Sequence, residues 1–282
     1  MIVDSMMTLG PLQWGTANGG SPAWAGIAAT HAQTVATNIV RSDGGTFQLA
    51  NFDSTSGALL SQETFSGYSD TSTWARGQAW ALYGFVQAYQ ASGNPAFLTT
   101  AEAVANSFVD YLPANDILPW DFGAPTTPTP FGDTSAAAIA ADGLVMLSTV
   151  AGTSALKTFY LQAAENILRS LSSSHLGPSS GESVLFDGYP GVNGMNTALI
   201  YGDYYFTEAL LRLQNVLDGQ PGWVGFAGPG FAIHRMSGRR SETSVRRMGW
   251  RQAAPMAGLP TATISRSRVA PSAGRRAAPP RP

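Results

Sequence analysis

The 282 residues contain no cysteine. Disulfides and thiolate metal sites are thereby excluded, although a large secreted domain can also do without disulfides, so the compartment stays open. Charge is scarce: Asp, Glu, Lys and Arg make up 12% of the chain, about half the usual share of a soluble protein. The three histidines, His31, His175 and His234, lie far apart and show no zinc-ligand spacing, so neither a metal nor a cofactor is expected. No apolar run approaches the roughly 20 residues of a membrane span, and no membrane association is expected. The first residues, MIVDSMMTLGPLQWG, carry no basic stretch ahead of their apolar positions, so they do not read as a signal peptide. The expectation is a cytoplasmic protein, or a secreted one if a signal lay upstream. No glycine-rich phosphate loop follows a strand, and there is no serine elbow.

What is present is apolar and aromatic. Hydrophobic residues reach 44% and aromatics 10%, enough for a sizeable core. A low-charge chain rich in Gly, Ala and aromatics suits an enzyme that binds a polar ligand through hydrogen bonds and stacking, and suits a nucleic-acid binder poorly. The net charge of −2 conceals a split: residues 1–218 hold 5 of the 16 basic and 17 of the 18 acidic residues, so the remaining 64 residues are strongly basic. That tail, 219–282, is rich in Pro, Gly and Ala without helical periodicity and reads as disordered. It is either an arm for a polyanionic surface or an extension foreign to the rest, such as translated intron or a shifted frame. No nucleic-acid partner is expected of the body, and the oligomeric state is open.

Residues 1–218 read as helices joined by Gly/Pro-rich loops. Helical apolar spacing runs over 22–40, 73–91, 156–171 and 203–216. Thr99-Thr-Ala-Glu102 has the form of a capping box opening a further helix, and Asp133 is placed to cap the run TSAAAIAADGLVML. Between Arg41 and Tyr68 a partial period of two predicts a hairpin or a long structured loop. Repeated helix–loop–helix units predict an all-α toroid or bundle.

The densest chemistry is Asp70-Thr-Ser-Thr-Trp74-Ala-Arg76-Gly-Gln78-Ala-Trp80. On a helix, 74 and 78 share one face and 76 and 80 another. A guanidinium grips a carboxylate with two parallel hydrogen bonds, and an indole offers a flat face to a sugar ring. An Arg between two Trp therefore suits a site for an acidic sugar. It equally suits a core helix with Arg76 paired to an Asp. Asp70 reads as a helix cap. Asp4, within Ile2-Val3-Asp4-Ser5-Met6-Met7, has apolar neighbours whose burial of it would raise its pKa, as a general acid needs. The plain alternative is a residue on a frayed terminus.

TWARGQAWALYGF, LPWDFGAP, DTSAAAIAADGL and LIYGDYYFTEALLRL, in that order, resemble the unsaturated glucuronyl hydrolases over roughly residues 2–213. A sibling family acting on unsaturated rhamnogalacturonyl substrates is similar but tends to have Gly-x-Gly-Trp at Gly77-Gln78-Ala79-Trp80. The resemblance implies an (α/α)6 toroid and an unsaturated uronic-acid oligosaccharide as partner, hydrolysed by hydration of its vinyl ether. It points to Asp4 as the acid/base and to Trp74, Arg76 and Trp80 as substrate contacts. Two positions depart from the pattern: Gln48 stands where relatives usually carry His, and Ser66 where they carry Gln. Both are candidate substrate contacts, and their change fits altered substrate choice or lost activity. The family also has a segment ahead of Asp4 with further helices and a second active-site Asp. Without that segment the expectation is an incomplete toroid, and a homologue that binds acidic sugars without turnover stays open.

Overall fold

A computed structural model of the chain describes residues 1–125, 132–178, 181–190 and 197–220. Residues 221–282, nearly all of the expected tail, lie outside the described residues. The chain opens with a 3-10 helix, Val3–Thr8, which runs into α1 (Leu9–Ala17). Then come α2 (Ala23–Asn38), the strands β1 (Leu49–Phe52) and β2 (Leu59–Glu63), α3 (Ala75–Ser92), α4 (Pro95–Asp110), α5 (Thr134–Val150), α6 (Ser154–Ser174) and α7 (Ile200–Leu217). Asp4 thus sits in a structured turn, not on a frayed end.

The helices pack in two rows. The opening 3-10 helix, α3, α5 and α7 adjoin one another, while α2, α4 and α6 back α1, α3 and α5. This pairing is that of an (α/α) toroid, of which the described helices form an arc. Helix α5 is central. Thr134–Ser148 is buried all round, as its continuous apolar run requires of a helix flanked on every side.

Local chemistry sets the boundaries. Gly93 closes α3 in the left-handed region, at φ 69°, where a side chain would be strained. Asn94 then caps α4, its side chain accepting from Ala96 N at 3.0 Å, with Pro95 at the first helical position. The expected capping box at Thr99 is therefore wrong. The Gly-Asn-Pro signal starts the helix earlier, and the Thr99 and Thr100 hydroxyls donate back to Pro95 O and Ala96 O within it. Asp133 caps α5 as expected, accepting from Ser135 N and Ala136 N.

Arg41–Tyr68 resolves as an antiparallel hairpin, with Leu49 opposite Glu63 and Ala50 opposite Gln62. The turn is organised by Asp53, whose carboxylate accepts from Thr55 N, Ser56 N and the Ser56 hydroxyl. The free edge of β1 takes up the start of the chain. Val3 N donates to Gln48 O at 2.9 Å, and Ala50 N to Met1 O at 2.9 Å.

Two glycines of α3 let the 3-10 helix lie directly against it. A Cβ at Gly84 would come within 2.6 Å of the Met6 Cβ, and one at Gly77 would meet the Trp74 ring at 2.8 Å and the Val3 side chain at 3.2 Å. This close approach brings Asp4 to the N-terminal end of α3.

Candidate active site

The N-terminal ends of α3, α5 and α7 converge. Arg76, in the first turn of α3, donates from Nη1 to Asp133 Oδ2 at 2.7 Å, to the Ser135 hydroxyl at 3.1 Å and to Tyr189 O at 2.8 Å. Asp133 and Ser135 belong to the start of α5. The first turn of α7 lies alongside, with Gly202 packed against Ser135. Helix N-termini carry partial positive charge, so three of them meeting at one place favour an anion.

The Arg76 guanidinium is held between two rings. Its Cζ lies 4.8 Å from the Trp74 ring centroid and 5.1 Å from that of Tyr201. The expected separation of 74 and 76 onto different helical faces does not occur. Trp74 is the extended residue ahead of the helix, at φ −67° and ψ 118°, so its ring folds over Arg76. Trp80, one turn on, packs edge-on against Tyr201 at 6.1 Å and Tyr205 at 5.3 Å. Trp74 and Trp80 keep only 6% and 8% of their surface exposed. They are walls of the site and not open stacking platforms. While Nη1 is committed, the Nε and Nη2 of Arg76 make no hydrogen bond among the described residues, which leaves one edge of the guanidinium for a ligand.

Asp4 belongs to the same site. Its Oδ2 is buried and has no hydrogen-bond partner among the described residues. Burial raises its pKa, against the lowering effects of its own backbone N–H and of the Arg76 charge. A carboxyl whose pKa is raised holds its proton more readily than a free one, and within electrostatic reach of a guanidinium it is placed to act as an acid toward a bound anion.

Gln48 and Ser66 meet each other. Gln48 Nε2 donates to the Ser66 hydroxyl at 3.0 Å, and Gln48 Oε1 accepts from the Thr64 hydroxyl, Phe65 N and Ser66 N. Gln48 is buried and its amide is largely consumed in holding the 64–66 turn, while its carbonyl carries Val3, the neighbour of Asp4. Asp70 does not cap α3; its carboxylate accepts from Thr64 N in the same turn. Gln78 is also structural, donating to Gly44 O and Val104 O.

The sequence reading missed Tyr189, Tyr201 and Tyr205. Tyr189 closes one side, stacking on Trp120 at 4.8 Å and donating its amide to Asp133 Oδ1. Tyr201 fell outside the helix expected from Asp203, whereas α7 begins at Ile200. Behind Trp80 and Tyr205 lies a buried charge cluster: Arg212 Nε pairs with Asp142 at 2.7 Å and Arg212 Nη2 with Glu208 at 2.8 Å, and the Tyr83 hydroxyl donates to Glu208. Desolvation first, and the Glu208 carboxylate in addition, push the Asp142 carboxyl well above its ordinary pKa.

Among the described residues no group of three or more His, Asp or Glu could hold a metal ion. No helix there is long and apolar enough to cross a membrane.

No family model matches the chain. It is 35% identical over 225 residues to an unsaturated glucuronyl hydrolase of Formosa agariphila, covering 77% of this chain and 55% of that protein. It is 31% identical over 218 residues to an unsaturated chondroitin disaccharide hydrolase of Streptococcus pneumoniae, covering 75% of this chain and 55% of the relative. Among solved structures, an unsaturated glucuronyl hydrolase specific for heparin superposes with a TM-score of 0.74 at 32% identity, over 81% of this chain and 62% of that one. The chain thus spans little more than half the length of these curated relatives.

Proposed function

Because the chain belongs to the unsaturated glucuronyl hydrolase family, we propose that it removes a 4,5-unsaturated uronic acid from the non-reducing end of short oligosaccharides. One observation carries this reading: Asp4, with one carboxyl oxygen buried and unpartnered among the described residues, lies within electrostatic reach of a guanidinium with one edge unengaged, Arg76. The pair matches the two needs of such a substrate. The uronate carboxylate takes the free edge of Arg76, which the Asp133 bond and the Trp74 ring hold in place. Asp4 then donates its proton to C4 of the vinyl ether. Water adds at C5, giving up a proton to the Asp4 carboxylate, and the resulting hemiketal collapses with release of the sugar. A single carboxyl serves as acid and then as base.

The substrates proposed are unsaturated disaccharides left by lyases acting on acidic polysaccharides, in keeping with relatives named for chondroitin and heparin. The conjugated uronate absorbs in the ultraviolet and its hydration removes that band. Incubated with an unsaturated disaccharide, the full chain is expected to bleach the absorbance while its Asp4→Asn variant leaves it unchanged. Equal bleaching by both would remove Asp4 from the chemistry. No bleaching by well-folded parent protein would refute the activity.

A further inference from the structure

Tyr201 is the residue of this site with a polar group and no evident use for it. It stands second in α7, half-buried, with its ring face against the Arg76 guanidinium and its edge packed with Trp80. Its hydroxyl makes no hydrogen bond among the described residues. A phenol placed only to wall off Arg76 could equally be a phenylalanine; on this half-buried residue the hydroxyl stays accessible to a ligand. The surroundings define what kind of ligand it faces. Asp4, Arg76 and Asp133 all act electrostatically on this phenol, so its oxygen lies among the same charges that surround the space for the substrate. The backbone points the same way. Leu199 caps α7 without a side-chain bond, and the amides of Ile200, Tyr201 and Gly202 make no hydrogen bond among the described residues. The first turn of α7 therefore presents backbone donors at this spot, with the Asp203 carboxylate in the same turn.

We propose that Tyr201 is a substrate-contacting residue whose ring seats the Arg76 guanidinium and whose hydroxyl donates a hydrogen bond to the carboxylate of the bound uronate. Burial raises its pKa above the usual phenol value, so the group is a donor throughout the neutral range. Arg76 would hold the carboxylate from one side and Tyr201 from the other. The inference rests on the uronyl reading of the site given above.

The test measures binding separately from turnover. In an Asp4→Asn background, which blocks proton donation, titration with an unsaturated uronyl disaccharide is followed by tryptophan fluorescence. Adding Tyr201→Phe keeps the ring and removes the hydroxyl. The expected result is a Kd about tenfold higher, as for the loss of a hydrogen bond to a charged group, with the melting temperature unchanged. The methyl ester of the same disaccharide provides the second arm: having no carboxylate, it is expected to bind both proteins alike. Equal affinity of both proteins for the free acid would overturn the proposal, and so would an equal loss for acid and ester, which marks a packing role. If the Asp4→Asn protein binds no disaccharide while remaining folded, the uronyl reading itself fails, and the Tyr201 assignment with it.

Discussion

Arg76 and Asp133 meet at 2.7 Å where α3 and α5 begin, with both side chains buried. The bond aims the guanidinium and neutralises it, and the same carboxylate caps α5 through its other oxygen. The proposed recognition of the substrate and the folding of α5 are therefore joined at one residue pair. Arg76→Ala strands a buried carboxylate and is expected to cost about 3–5 kcal/mol of stability. Arg76→Ala combined with Asp133→Asn should recover much of that loss, because no charge is then left alone, yet should still fail to bind an unsaturated disaccharide. Chemical denaturation of the single and double variants checks the first statement, and titration with the disaccharide the second. A double variant no more stable than Arg76→Ala would show that the charge is not what matters.

Asp4 ties stability to pH. Its folded pKa is raised above the usual value of 3.8, so the folded state binds the proton more tightly than the unfolded state. The stability this lends is present below the unfolded pKa and is lost as pH rises through the folded one. Asp4→Asn cannot ionise and is expected to melt higher than the parent at neutral pH, by a few degrees at most, with the gap closing in acid. On the mechanism proposed above, the activity of the parent should decline over the same upward window, since the acid form is the donor in that scheme. Melting curves across pH give the first result, and a gap that stays constant with pH would refute it.

The cluster behind Trp80 supplies a second pH dependence. Asp142 and Glu208 share one cation, Arg212, and the Asp142 pKa is raised well above normal. Stability it confers at low pH is lost as pH rises. Asp142→Asn leaves Arg212 and Glu208 as a balanced pair and is expected to flatten the fall in melting temperature with rising pH. Arg212→Met does the opposite. It leaves two carboxyls buried without a cation and should cost about 3–5 kcal/mol, enough to unfold a marginal domain.

Gln48 acts on the site through structure. Gln48→Ala removes the acceptor of two amides and a hydroxyl in the 64–66 turn, each a partly buried hydrogen bond worth about 0.5–1.5 kcal/mol. Ser66→Ala removes only one hydroxyl that accepts from Gln48 Nε2 and is expected to cost much less. Comparing the two by denaturation and by proteolysis of the turn decides the matter. An effect of Ser66→Ala on KM with no effect on stability would instead make Ser66 a direct contact.

The sequence by itself determined the helical class and the main elements, because apolar spacing and caps such as Asp133 are local signals that survive without tertiary context. Asp4, Arg76 and the two tryptophans were brought out by the resemblance of their motifs, since local pattern alone left a core helix and a frayed terminus equally open. Local pattern also placed a capping box at Thr99 that Asn94 and Pro95 override, and a cap at Asp70 that serves the 64–66 turn. Only the tertiary structure decided the rest. Trp74 covers Arg76 because its backbone is extended, a choice fixed by pairing with Asp121 and not by helical period. Asp4 comes within the electrostatic influence of Arg76, 72 positions away, because Gly77 and Gly84 let two helices touch. Tyr201 joins them because α7 starts three residues before its apolar period becomes visible. A local pattern records which face of a helix is apolar; it does not record which helix will meet that face, and the site lies where three of them meet.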